Sequence, residues 1–522
     1  MSAASQYEFL IFLLIAIFLL ELLARRLRLP PAAAFILGGI VLALVPGVPT
    51  FEIDPDLVLL IFMPPLLMNG AYFTVWREFK ANISGILLLA LGAVAFTTLV
   101  VGVAAKLLAP ELPWAVCFAL GAIVSPPDAV AAGAVLERLS LPGRMSSLLQ
   151  GESLLNDASG LVLFRFAVAA ALTGIFSMTA ALGSFCLLSV GGVAFGWAVG
   201  RVGLLVIRRL RDSELAITAT LLLAAVSYVG GERLHVSGVL ATVSTGLLLG
   251  WHQHSYFTAK TRIRAHAFWK VLVFLLESIL FILIGLSLRG VAARFGGAEH
   301  AVFNLVLPVG GIIIAVILSR FAWLFGSELL RRLAGSDESS FASAAVMSWA
   351  GMRGVVTLAA ALSLPAEVAG RDFVLLCSFA VILVTVLLQG TTLGPLIKLL
   401  RLTKLGEWKV RQDSEDSAWR RMTEAQLEAI ERLSRQPDGT ERHPRLLEQF
   451  RHRARVAAQF ITDRGAHLPQ KVEHFNAVIA AIKAGRAEIL RLHGSGEIHD
   501  RVLRDLENEL DLQELVAQSH AG

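Results

Sequence analysis

Thirteen apolar runs, separated by short polar loops, occupy the first 400 residues of the chain, and nothing else in the sequence restricts its fold so strongly. They lie at roughly 7–24, 31–47, 57–72, 82–107, 113–135, 150–175, 178–207, 213–230, 236–251, 268–288, 301–330, 341–364 and 372–400. In hydrocarbon every backbone N–H and C=O must find a partner within the protein, so a run of about 20 apolar residues becomes a helix. The second, third and ninth runs are short, and we expect them to tilt little or to be partly broken. Composition agrees: 56% of residues are hydrophobic, 17% are charged, and the mean hydropathy is +0.68. A soluble domain has about 25% charged residues. The expected fold class is an all-α polytopic membrane protein.

Charge gives an independent check on the number of spans. Loops after odd-numbered runs carry Arg25, Arg26 and Arg28, then Arg77 and Lys80, Arg138 and Arg144, and Arg208, Arg209 and Arg211. The same series continues with Lys260, Arg262, Arg264 and Lys270, then Arg331 and Arg332, then Arg401, Lys404 and Lys409. Even-numbered loops hold few cations. This alternation predicts the N-terminus outside and the C-terminus in the cytoplasm. The net charge of +5 follows from these loops and gives no reason to expect nucleic acid as a partner. No basic n-region precedes the first run, which is expected to remain as a span. Cys117, Cys186 and Cys377 are far apart inside apolar runs and read as small buried hydrophobes. From about residue 405 the chain turns charged, with apolar residues at helical spacing. The expected domains are therefore a membrane domain, 1–404, and a cytosolic helical tail, 405–522. The tail could be a solvated appendage, a dimer contact or a regulatory segment with its own ligand or protein partner.

Polar groups within the runs are the candidates for function, because a carboxylate at the bilayer centre costs about 2.5–3.5 kcal/mol on insertion scales. In the sixth run, GESLLNDASG (151–160) brings together Glu152, Asn156 and Asp157. On a helix Glu152 and Asn156 share a face about 40° wide, and Asp157 points about 140° from Glu152, on the face of Ser153. The two carboxylates are expected to meet different neighbours. In the fifth run, SPPD (125–128) places Pro126 and Pro127 before Asp128, which should break the helix and free carbonyls that suit an alkali cation. Arg353, midway along the twelfth run between Gly351 and Gly354, is too deep to reach water and needs a carboxylate. Glu152 is its expected partner if Asp157 carries an ion. The glycines allow a break or a close helix approach. Arg165 and Glu277 are weaker leads, and His252, His254 and His266 lack the company of Cys or carboxylates that a metal site would show.

Four segments, SPPDAVA (125–131), GESLLNDASG (151–160), SWAGMRGVVTLA (348–359) and LLQGTTLGPL (387–396), resemble in order and spacing the sodium/proton exchangers of the first cation:proton antiporter family. The resemblance covers roughly residues 7–400. It implies thirteen helices with inverted repeats, a homodimer, and two crossing discontinuous helices in the fifth and twelfth runs. It also implies that Asp157 binds the cation or the proton, with Ser153 as a ligand. Asn156 would be its neighbour, Glu152 would pair with Asn156 and Arg353, and Asp128 would sit at the crossing and take part in binding the cation or proton. A bacterial-type member would lie in the plasma (inner) membrane. The sequence departs from the family where a Thr-Asp-Pro order is common: here it reads Pro127-Asp128-Ala129, so a hydroxyl ligand is replaced by a backbone carbonyl alone.

The expected activity is exchange of Na⁺, or Li⁺, for H⁺ through one carboxylate that binds either but not both, electroneutral at 1:1, serving pH and sodium homeostasis. No cofactor is implied beyond the transported ion. A K⁺/H⁺ or mixed exchanger shares every feature named so far, and a transporter-like sensor signalling through its tail is a third reading. No nucleophile–base set or nucleotide loop suggests an enzyme, and no charged ring or filter repeat suggests a channel.

Overall fold

A computed structural model describes residues 3–27, 29–45, 55–128, 142–174, 177–294, 299–335, 340–402, 406–435, 441–462 and 464–521. Helices stand on all thirteen apolar runs. They are α1 (Ala3–Leu27), α2 (Pro31–Leu44), α3 (Pro55–Tyr72), α5 (Ile83–Leu108), α6 (Trp114–Val124) and α7 (Gly143–Thr173). There follow α8 (Met178–Ile207), α9 (Ser213–Arg233), α10 (Gly238–Tyr256), α11 (Ala259–Arg294) and α12 (Glu299–Leu333). The twelfth run forms two short helices, α13 (Phe341–Trp349) and α14 (Val355–Leu362), and the last forms α15 (Arg371–Leu399). A short surface helix, α4 (Trp76–Ala81), precedes α5. Among the described residues seven helices are long and apolar enough to cross a membrane, and α2 and α6 are shorter apolar helices.

Side chains explain the packing. α2 lies along α11, where Gly39 and Gly285 face each other so closely that a Cβ on either would strike the other's backbone. α5 packs on α6 and α12, and α6 on α7. α3, α8, α9 and α10 form a second group, tied by Thr245 Oγ1 to Gly196 O at 2.8 Å and by Ser227 Oγ to Thr242 Oγ1 at 3.2 Å. Leu and Val residues on α1, α8 and α12 remain exposed, as suits a surface facing lipid tails. Cys117 and Cys377 are buried as expected, but Cys186 is not: it lies on the exposed flank of α8. α5 and α15 each contain a π-helical turn, at Leu88–Ala93 and Thr385–Gln389, which their apolar sequences do not announce.

Residues 1–404 and 405–522 form two compact units. The second contains α16 (Gly406–Ser434) packed on α17 (Pro444–Thr462), and α18 (Arg464–Gly494) packed on α19 (Asp500–Ala521). Arg486 of α18 bridges Asp511 at 2.8 Å and Glu514 at 2.7 Å on α19.

Candidate functional site: two helix breaks and a buried charge cluster

Local sequence sets the two breaks. α6 ends at Val124 because Pro126 and Pro127 follow without N–H donors. The next part of the fifth run, 129–141, lies outside the described residues. α13 ends at Trp349, and Gly354 precedes α14 in a conformation that is neither helical nor β. The two unwound stretches touch: Asp128 N–H donates to Met352 O at 2.6 Å. The Asp128 carboxylate lies against Gly354 Cα, where any Cβ would collide with it. It thereby faces the N-terminus of α14, the partially positive end of that helix.

Arg353 sits at the same crossing with 1% exposure. Its Nε donates to Val124 O at 2.6 Å and its Nη1 to Gly351 O. Val124 O is the last carbonyl of α6, which lacks a helical partner and lies at the negative end of the dipole, and Gly351 O lies in the unwound stretch just after α13. Its backbone N–H donates to Thr385 Oγ1 in the π turn of α15 at 3.0 Å.

The expected Glu152–Arg353 ion pair is therefore not formed. Glu152 instead accepts two hydrogen bonds from Arg320 of α12, Nη1 to Oε1 at 2.6 Å and Nη2 to Oε2 at 2.9 Å. Both side chains are almost wholly buried, at 2% and 4% exposure. Arg320 Nε donates to Met347 O at 3.1 Å, and the missing side chain of Gly351 makes room for its guanidinium. A parallel two-bond fork is the strongest geometry for an Arg–carboxylate pair, and Arg353 has carbonyls to satisfy it. Arg320 is open to the same reasoning as Arg353: it stands mid-run in ILSRFAW (317–323) and cannot reach water.

The rest of GESLLNDASG is placed by the face carrying Glu152, Asn156 and Gly160. Asn156, fully buried, donates Nδ2–H to Pro127 O at 2.5 Å rather than pairing with Glu152. Its Oδ1 is buried without a partner among the described residues. Pro126 packs against Gly160, where a Cβ would overlap its ring. The face of α7 that carries Glu152, Asn156 and Gly160 is thus the one that meets the broken span. Ser159 Oγ donates to Ala90 O at 2.5 Å, inside the π turn of α5.

Asp157 and Ser153 lie on the adjoining, half-buried face. Neither side chain makes a hydrogen bond among the described residues. The charges of Asp157 and Asp128 are close enough to interact. Among the described residues the crossing thus gathers three carboxylates, Glu152, Asp128 and Asp157, and two guanidiniums, Arg320 and Arg353.

The family model described as the transmembrane sodium/hydrogen exchanger matches residues 10–399. The chain belongs to that family. It is 31% identical over 518 residues to an uncharacterized Na⁺/H⁺ exchanger of Mycobacterium tuberculosis, covering 94% of this chain and 93% of the relative. It is 32% identical over 375 residues to the sodium, potassium, lithium and rubidium/H⁺ antiporter of Bacillus subtilis, covering 68% of this chain and 56% of that one. The sodium proton antiporter MjNhaP1 of Methanocaldococcus jannaschii shares the fold, with a TM-score of 0.62 at 23% identity over 78% of this chain and all of that one. The chain is accordingly a multi-pass integral membrane protein of a transporter family and not an enzyme.

The leads outside the crossing stay outside it. Arg165 pairs with Glu232 of α9 at 2.8 Å. His252 lies beside Trp251 and Tyr256, with Nδ1 at 2.9 Å from Leu248 O, and His266 stands edge-on to Phe73.

Proposed function

We propose that the protein exchanges Na⁺ for H⁺ at Asp157, with both ions competing for one carboxylate. The observation that carries this reading is the charge count at the crossing. With these five groups ionised, the described residues of the crossing set three carboxylates against two guanidiniums, one negative charge in excess. One monovalent cation or one proton neutralises it, and a buried cluster disfavours both its empty, charged form and its doubly loaded form. Glu152 and Asp128 have cationic or helix-terminal partners, whereas Asp157 lacks a hydrogen bond among the described residues, so Asp157 is the group that exchanges. Ser153, one turn earlier, and the second lone pair of the Pro127 carbonyl are the further oxygen ligands we assign to the cation. Asn156 supports the site by holding that carbonyl, and Arg353 by joining the two breaks.

This count supports electroneutral 1:1 exchange serving pH and sodium homeostasis. We assign the protein to the plasma membrane, as the resemblance implies, and place its N-terminus outside and its tail, 405–522, in the cytoplasm on the charge alternation of the loops. A homodimer and a regulatory partner for the tail complete the proposal.

The second reading, K⁺ in place of or beside Na⁺, is favoured by Pro127. It supplies a carbonyl where a hydroxyl is common, and fewer ligands discriminate less between alkali ions. Reconstituted transport with Na⁺, Li⁺ and K⁺ under clamped voltage decides both matters. The Na⁺ reading requires half-saturation at lower Na⁺ than K⁺ and no dependence on voltage. Preference for K⁺, or net charge movement, overturns it.

A further inference from the structure

Arg165 lies on α7, the helix of Asp157, eight residues and about 12 Å further along. Its guanidinium Nη2 meets Glu232 Oε2 of α9 at 2.8 Å. The other carboxylate oxygen of Glu232 is also engaged, since Oε1 accepts the N–H of Gly238 at 3.2 Å, at the start of α10. One carboxylate therefore joins the end of α9, the start of α10 and the flank of α7.

The pair joins two groups of helices with different packing. α7 packs chiefly on α6 and α5, and carries Glu152 and Asn156 into the crossing. α9 and α10 pack chiefly with α3 and α8, where side-chain hydroxyls of Ser227, Thr242 and Thr245 tie them together. Between these groups the described residues of α7 lay mainly apolar side chains, such as Leu154 beside Gly70 of α3. Apolar surfaces slide at little cost, but a two-ended ion pair resists displacement. Its members are also half-exposed, at 54% and 31%, so water can replace each partner when the pair parts.

We propose that Arg165 and Glu232 form a latch that closes the C-terminal end of α7 against α9 and α10 in this state, and parts when Asp157 is presented to the other side. The proposal rests on the antiport reading, since it needs α7 to move relative to α9 and α10 in each cycle. An exposed pair biases such an equilibrium modestly, by about two- to five-fold in population. That is enough to set the balance between states without locking the protein in one.

The test joins the two positions covalently. In proteoliposomes the Arg165→Cys/Glu232→Cys variant, carried with Cys186→Ser to remove the exposed native thiol, should transport while its thiols are free. A bis-methanethiosulfonate reagent, with cross-linking verified by mass spectrometry, should reduce transport to the level of protein-free vesicles, and reduction should restore it. Each single-Cys variant should be indifferent to the reagent. Undiminished transport by the cross-linked protein overturns the latch, because the two helix groups would then move as one body. Independently, Arg165→Gln and Glu232→Gln should each shift the half-saturating cation concentration by about two- to five-fold. The exchanged pair Arg165→Glu/Glu232→Arg should return it toward the starting value. No shift in either single variant also overturns the latch. Transport by the unaltered chain tests the antiport reading separately, so the two failures are distinguishable.

Discussion

The Glu152–Arg320 pair lends itself to a quantitative test. Arg320→Met removes two hydrogen bonds of 2.6 and 2.9 Å and leaves a carboxylate with 2% exposure facing an apolar side chain. Breaking a buried ion pair from one side costs about 3–5 kcal/mol, chiefly through the stranded charge. Arg353, whose charge acts on Glu152, offsets part of this and points to about 3 kcal/mol. Removing both charges strands nothing, so Glu152→Leu/Arg320→Met should lose less than the sum of the Glu152→Leu and Arg320→Met single changes, by about 2–3 kcal/mol of coupling. Equilibrium unfolding in detergent, followed by tryptophan fluorescence, measures all four corners of the cycle. Trp323 and Trp349 lie within a few residues of Arg320 and Met347 and should report the change. Additive single effects would refute the view that this pair carries energy. Equal losses in an Arg353→Met cycle with Glu152 would point back to the pairing expected from sequence.

Gly160→Ala should cost about 1–3 kcal/mol of stability, because its Cβ enters the rigid Pro126 ring. Gly183→Ala on α8, where a Cβ meets open space, should cost nothing in the same unfolding assay. In the second unit, His493 Nε2 lies 2.6 Å from Asp500 Oδ1 and holds that carboxyl below its usual range. Its contribution to the tail's stability is therefore present above the ordinary carboxyl pKa of about 3.9, and is lost as pH falls through the lower folded value. Titration of Asp500 by NMR should show the low value, and His493→Ala should raise it.

The membrane fold is legible in the sequence because burial in lipid leaves the chain few choices, and every apolar run becomes helix. The break at residues 350–354 is legible in Gly351 and Gly354, and the end of α6 in Pro126 and Pro127. Partners are harder to read. Elimination matches Glu152 to Arg353 and passes over Arg320, although the depth of Arg320 in its run is equally plain. Helical phase separates Asp157 from Glu152 correctly but does not say which face meets the break. That depends on Asn156 reaching the Pro127 carbonyl and on Pro126 seating at Gly160. The π turns carry no signal here, since one extra residue per turn in an apolar run changes no chemistry that the sequence displays. Their use emerges only in three dimensions, where Ala90 O and Thr385 Oγ1 accept from Ser159 and Arg353.

The claim that one carboxylate serves both ions is tested most directly by Asp157→Asn, which keeps the shape and removes the charge. In proteoliposomes this variant should show no proton flux driven by a sodium gradient, while its unfolding transition stays intact because Glu152, Arg320, Asn156 and Arg353 retain their partners. Proton flux at the rate of the unaltered chain would contradict the account, and would move the exchanging group to another carboxylate of the crossing.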